Sequence, residues 1–387
     1  MTTRVAHGVA TDLVRASVVV APGVSELRTL PLPEIDEDAG LLRVEGAGVC
    51  GTDVGNYFRD TEPRILGHEN VGRVVALGRR AAERWGIEEG ARVAVEEYLP
   101  CGHCAVCRTT DYRLCAATDS RAGGTRFGST PVTVEPALWG GYSQYLYLHP
   151  RTVLHRIPED MDAHLAAMTL PVANGYEWAV IEGRAGPGRT IVVIGPGQQG
   201  LACVYAAKAA GADQVIVLGL GRDARRLELA REYGAAVVVD VDEQDPVAVV
   251  EKVTGGAGAD LVLDTARGDA TTIGWGVEMV ARRGQILIST ATDVVDGMAM
   301  KALQWKVASI RGVRGHSNSA VAWAITTLSR PDTPLAAMST HVFGLDEVDQ
   351  AIRATGGQMG DDVVHVTVDP WHGAPLATLS ADPIGAS

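Results

Sequence analysis

Aromatic residues are scarce, at 5% of the chain with Phe at 3 residues, which argues against a base-stacking surface for nucleic acid. Positive charge is also in deficit: 34 Lys and Arg against 47 Asp and Glu leave a formal net charge of -13. A phosphate-backbone partner is therefore not expected. No window approaches the roughly 18 consecutive apolar residues of a membrane span, so no membrane partner is expected. The start, Met1–Gly8, lacks the apolar core of a secretory signal, and a cytoplasmic location is the expectation. Cysteine is limited to 6 residues, four of them within Cys101–Cys115. Without a secretory signal, such clustering favours metal over disulfide. What remains is ordinary globular composition, 46% hydrophobic and 21% charged, over 387 residues, enough for two domains with separate cores.

The organisation changes part way along. Short β-rich runs punctuated by Gly and Pro occupy the first part, among them Ala16–Val20, Leu41–Val44, Val71–Val75 and Ala91–Val95. Residues 116–140, rich in Gly, Thr and Pro, read as a long surface loop. From Thr190–Ile194, an apolar run suited to a strand buried on both faces, strands and helices alternate. Strands are expected at 190–194, 214–218, 236–240, 260–264, 285–289 and 308–313, with helices at 198–210, 223–233, 245–253 and 270–281. That is the doubly wound parallel pattern. The helical segment 319–328 and a closing strand, helix and strand over 341–368 follow. Residues 371–387 read as a loose tail. The expected domains are 1–171, 172–316, and 317–387 as a return to the first domain.

Three stretches carry chemistry. Cys50-Gly-Thr52-Asp53 is followed by Gly67-His68-Glu69. A thiol, an imidazole and a carboxylate suit a four-coordinate ion such as zinc, and three protein ligands with one open position are the catalytic arrangement. Thr52 stands where its hydroxyl can carry a proton from a metal-bound oxygen. A buried cysteine beside a satisfied histidine is the competing reading of this stretch taken alone. Cys101-x2-Cys104-x2-Cys107-x7-Cys115 offers four thiolates and no open position, which is a structural zinc site, with an iron–sulfur cluster as the alternative on ligand type.

The third stretch, Gly195-Pro196-Gly197-Gln198-Gln199-Gly200, follows the buried strand and opens a helix. In that context the glycines allow a tight turn and close approach of a dinucleotide pyrophosphate to the helix N-terminus. NAD specificity wants an acid near the end of the next strand, about 20 residues on. Gly219-Leu220-Gly221 stands there instead, with Arg222, Arg225 and Arg226 nearby, residues that tolerate a 2′-phosphate. The choice between NAD and NADP stays open. Asp264, Glu96, Glu97 and His103 read as turn or surface residues, and Cys203 as core.

Gly48-Val-Cys50-Gly-Thr52-Asp53, Gly67-His68-Glu69-Asn-Val-Gly72, the four-cysteine loop and the 195–200 motif, in this order, resemble the medium-chain zinc-dependent alcohol dehydrogenase family in its sorbitol and threonine dehydrogenase-like branch. The resemblance covers residues 15 to 368. It implies a GroES-like β catalytic domain, a Rossmann cofactor domain, a cleft between them, and a homodimer or homotetramer. It implies one structural and one catalytic zinc with NAD or NADP, acting on a small-molecule alcohol or carbonyl. Cys50 and His68 would hold the catalytic ion, Glu69 would be a direct or exchangeable ligand, Thr52 would hydrogen-bond the alcohol, and Asp53 would orient the ligands. Two departures stand out. Gly55 occupies the place where family members often have a proton-relay histidine. Leu170 leads a segment, Leu170–Gly175, that usually supplies a further Glu or Cys. They raise two alternatives: a zinc-independent reductase of the same fold, and a nucleotide-binding protein without catalysis.

Overall fold

The computed structural model describes residues 13–373, except 60, 110, 267–269 and 291–293. The Met1–Gly8 segment and residues 374–387 of the expected tail lie outside that range. The chain divides into two compact units, one of residues 1–169 with 339–387 and one of residues 170–338.

The first unit is built of short, mostly antiparallel strands. β1 (Leu13–Ala21) lies between β2 (Val24–Pro31) and β4 (Arg64–Ile65) in a small sheet. The larger sheet runs β15 (Ser339–Phe343), β16 (His365–Val368), β3 (Gly40–Gly48), β5 (Glu69–Leu77), β6 (Arg92–Val95) and β8 (Leu154–Arg156). β7 (Tyr145–Leu148) pairs with the first half of β3. Alternating apolar side chains such as Val14, Ala16, Val18, Leu42 and Val44 point into one core. Two register features position the site: Gly48 at the end of β3 opposes Glu69 at the start of β5, and Thr367 of β16 opposes Gly48 from the other side. Residues 50 and 68–69, remote in sequence, are thereby brought to the same end of the sheet.

The second unit is a six-stranded parallel sheet in the order β11 (Val237–Asp240), β10 (Gln214–Gly219), β9 (Thr190–Ile194), β12 (Ala259–Asp264), β13 (Val280–Ile288), β14 (Ser309–Gly312). This is the doubly wound order whose reversal point, beside the first strand, binds ligands at the strand carboxyl ends. Helices Gln198–Ala209, Ala224–Glu232, Pro246–Thr254 and Ala270–Met279 alternate with the strands.

Several expectations need correction. The return to the first unit comes at Ser339, not at 317. Helix Asn318–Leu328 stays with the second unit because Ser317, its N-cap, donates to Glu177 Oε2 at 2.6 Å and Trp323 stacks on Tyr176 at 4.4 Å. The helix expected over 270–281 ends at Met279, and β13 begins at Val280 rather than 285, with Arg283 in a left-handed conformation (φ 63°). The stretch 116–140 is a surface loop only in part: residues 120–123 and 133–135 are exposed, but Phe127, Leu138 and Trp139 are buried. Its backbone tolerates burial because the Phe127 N–H donates to the Glu97 carbonyl and the Gly128 N–H to the Trp139 carbonyl. The tail begins bound, since Trp371 Nε1 donates to the Val44 carbonyl at 2.7 Å beneath the Arg43 guanidinium.

Candidate functional site

Cys50 lies two residues beyond the end of β3 and serves as N-cap of a short helix, Gly51–Tyr57. Asp53, in the first turn, accepts the Cys50 N–H at 3.0 Å through Oδ2. The same carboxylate accepts the Gly67 N–H at 3.4 Å and the Tyr142 hydroxyl at 3.1 Å, and faces His68 Nδ1 at 3.3 Å. Gly67 itself is obligatory: its φ is +88°, and a Cβ there would meet the Tyr142 ring at 2.7 Å. Asp53 thus links the helix start, the turn before β5 and the imidazole. The second nitrogen of His68, Nε2, lies 3.4 Å from the Thr52 hydroxyl, which is itself exposed.

Cys50, His68 and Glu69 are all buried, and each presents one donor atom within 4.8 Å of the others. The electrostatics of this trio call for a cation. Burial, then the charge of Glu69, pushes the Cys50 thiol up. Burial also pushes Glu69 up, to about 8. Burial opposes charge on His68, yet Asp53 and Glu97 outweigh it and hold the imidazole well above its usual value. Asp53 is likewise penalised by burial, but His68 and the two N–H donors keep it below the ordinary carboxylate value. Burial thus favours the protonated forms of Cys50 and Glu69, and the surrounding carboxylates favour a proton on His68. A divalent ion held by Cys50, His68 and Glu69 would take the place of those protons and favour the ionised thiol and carboxylate. Glu69 Oε2 is buried with no hydrogen-bond partner.

The four-cysteine loop fits zinc on geometry alone. A tetrahedral ion with sulfurs at about 2.3 Å needs them about 3.8 Å apart. Cys104 lies 3.4 Å from Cys107 and 3.8 Å from Cys115, and Cys101 lies 4.0 Å from Cys107. All four thiols are free, and together they form the second converging group among the described residues. Backbone N–H groups of His103 and Cys104 bring Cys101 down to about 6, whereas burial and Cys104 push Cys107 up to about 12.

Between these two groups run Glu96 and Glu97, expected at the surface and in fact interior. Glu96 is fully buried and accepts the Tyr112 hydroxyl at 2.9 Å. Glu97 pairs with Arg126 at 2.8 Å and acts on His68. Sequence reasoning missed them because an acid beside a metal loop looks the same whether its side chain points in or out. The consecutive acids at the end of β6, whose residues are all buried, were the available signal. His103 is at the surface, as expected.

In the second unit Gly195 takes φ +90°, and a Cβ on Gly200 would lie 2.0 Å from the Gly195 carbonyl oxygen, whereas space around Gly197 is open. That leaves backbone room in front of helix Gln198–Ala209 for a pyrophosphate. Gln198 Oε1 is buried without a partner. Gly219 packs against Pro196, where a Cβ would meet Pro196 Cγ at 2.9 Å, so that glycine is required by packing. The end of β10 does not lack negative charge, contrary to expectation. Asp242 Oδ2 accepts the Gly221 N–H at 2.9 Å, and Asp240 Oδ2 is 3.1 Å from where a Gly221 Cβ would be. Arg226 is held by Asp223 at 2.9 Å and Arg225 by Glu228 at 3.2 Å, while Arg222 is exposed. Asp264, the buried last residue of β12, caps the turn that follows, accepting from the Ala266 N–H and the Thr272 hydroxyl.

Comparison with known proteins agrees with this division. The alcohol dehydrogenase GroES-like domain profile matches residues 36–159, and the zinc-binding dehydrogenase profile matches residues 200–330. A probable alcohol dehydrogenase of Mycobacterium tuberculosis is 35% identical over 367 residues, covering 92% of this chain and 99% of that protein. An L-threonine 3-dehydrogenase of Bacillus subtilis is 31% identical, covering 86% and 93%. Among solved structures, an oxidoreductase/dehydrogenase of unknown specificity from Escherichia coli matches with a TM-score of 0.81 and 26% identity, over 92% of this chain and 99% of that one.

Proposed function

This chain belongs to the zinc-type medium-chain alcohol dehydrogenase family, and we propose that it is an NAD-linked member acting on a small-molecule alcohol at Cys50, His68 and Glu69. It is an oxidoreductase with a GroES-like unit and a Rossmann-like unit, transferring hydride between an alcohol, or its carbonyl, and NAD(P). The observation that carries the site assignment is the convergence of a thiol, an imidazole and a carboxylate, all buried, within 4.8 Å. Zinc held there supplies a Lewis acid that makes an alcohol hydroxyl more acidic. The nicotinamide supplies the hydride acceptor.

The chain's own residues do the rest. Asp53 fixes the His68 ring through Nδ1, leaving Nε2 as the ligand atom. Tyr142, Cys50 and Gly67 hold Asp53 in turn. Thr52, exposed and next to His68 Nε2, accepts the hydroxyl proton of the alcohol and passes it to solvent, a route that does not need a side chain at Gly55. The backbone of 195–200 cradles the pyrophosphate. Asp240 and Asp242 favour NAD, because a 2′-phosphate at the end of β10 would face two carboxylates while Arg225 and Arg226 are already engaged. No described helix is long and apolar enough to cross a membrane, and four reduced thiols suit the cytoplasm. A homodimer is the assembly proposed: β14 is an edge strand, and Trp305 and Val307, which precede it in the chain, are each 71% exposed.

The test is nucleotide reduction, followed by absorbance, across a panel of aliphatic, aromatic and polyhydric alcohols with each nucleotide. Turnover with at least one alcohol of the panel is expected, with NAD preferred by at least about tenfold, since one close like-charge pair costs about 1.4 kcal/mol. Nucleotide binding without turnover on any alcohol would support the non-catalytic alternative, and full turnover after complete metal removal the zinc-independent one.

A further inference from the structure

The register of the first unit sets two buried polar side chains face to face across a glycine. Gly48 opposes Glu69 of β5 on one side and Thr367 of β16 on the other. A Cβ on Gly48 would lie 2.4 Å from Glu69 Oε2 and 3.0 Å from His365 Nε2, so the missing side chain is the space into which both groups reach. Glu69 Oε2 and His365 Nε2 are 4.0 Å apart. His365 is 0% exposed. Neither of its ring nitrogens has a hydrogen-bond partner, and neither does Glu69 Oε2. Buried polar groups nearly always find partners, and a pair of orphans at this separation becomes a hydrogen bond after a small side-chain rotation.

We propose that His365 is the positioning residue of the metal centre: its Nε2–H is donated to Glu69 Oε2, so that the other carboxylate oxygen is presented beside Cys50 and His68 as the third donor. The imidazole does this as a neutral donor, and no change of charge is involved. Outer partners of this kind hold a carboxylate in one ligand geometry and typically change metal affinity 10–100-fold. The role has weight here because Leu170 supplies no fourth protein donor, leaving Glu69 to set the third corner of the site. The inference rests on reading Cys50, His68 and Glu69 as a metal centre.

The test compares His365→Gln with His365→Asn in the full-length protein. Both are polar and smaller than histidine, but the glutamine amide N–H reaches the position of Nε2 whereas the asparagine ends at that of Nδ1. Metal affinity is read by chelator competition with cobalt in place of zinc, because the visible spectrum separates a mixed sulfur–nitrogen–oxygen site from the four-sulfur loop. His365→Gln is expected to stay within about threefold of wild type and His365→Asn to weaken the mixed site by about 10–100-fold, with the loop ion unchanged in both. Equal affinity in the two variants, or equal loss of folding or of the loop ion, would assign His365 to packing and overturn the proposal. If the wild-type protein takes up only the loop ion, the metal-centre reading itself fails. If wild type and both variants take up two ions with equal affinity, only the role of His365 fails.

Discussion

The two candidate metal groups in the first unit solve opposite problems. In the 101–115 loop all four donors are of one kind, come from one short segment and are only partly buried, except for Cys115. Their sulfur separations, 3.4 to 4.0 Å, already approximate the edges of a tetrahedron. The Cys50, His68 and Glu69 group mixes three donor types, is wholly buried and is assembled by the pairing of β3 with β5. A closed set of like ligands fixes a loop and leaves no position for substrate. An open, mixed set held by buried acids leaves one. The difference separates stability from chemistry, and it is open to attack from either side.

The largest effect is expected from removing the open set. His68→Ala should lower kcat/KM by on the order of 10³-fold, corresponding to about 4 kcal/mol of lost transition-state stabilisation. Steady-state kinetics with far-UV circular dichroism as a folding control check this, and an active, metal-free variant would erase the distinction. Removing the closed set should act on stability instead. Cys104→Ser should lower Tm by about 10 °C, since several kcal/mol of metal-linked stability are lost at about 2–4 °C per kcal/mol, while chains still folded at 25 °C keep kcat within about threefold. Calorimetry and kinetics on one preparation separate the two. The smallest change sharpens the open site. Gly55 is exposed, and an added Cβ would have nothing within 4 Å. Gly55→His should therefore fold, gain a few tenths of a kcal/mol in helix stability, and raise kcat near neutral pH a few-fold if proton release contributes to the rate. A drop in kcat would mean that proton transfer through Thr52 needs the space.

The same contrast explains what the sequence disclosed. The loop was legible because its spacing is the geometry: four cysteines within Cys101–Cys115 have few ways to arrange their sulfurs. The parallel sheet was legible because buried strands read as apolar runs between helices, and β9, at Thr190–Ile194, begins and ends where expected. Cys50, His68 and Glu69 stood out through residue type and resemblance. Their supports did not. Tyr142 reaches Asp53 across 89 positions, and His365 meets Glu69 only because β16 returns beside β3. Asp240, at the end of the neighbouring strand, and Asp242, in the turn after it, compensate for Gly221, where a motif read along one strand does not look. Contacts set by strand register belong to the fold and leave no local signature.

A catalytic role for Cys50, His68 and Glu69 requires that the open set hold metal despite Leu170. The most direct measurement is zinc per chain, by elemental analysis of protein purified without added metal, before and after mild chelation. About two ions before chelation and about one after, with activity falling in step and returning on addition of zinc, is the predicted result. One ion throughout, with activity unchanged, would contradict a catalytic metal at Cys50, His68 and Glu69.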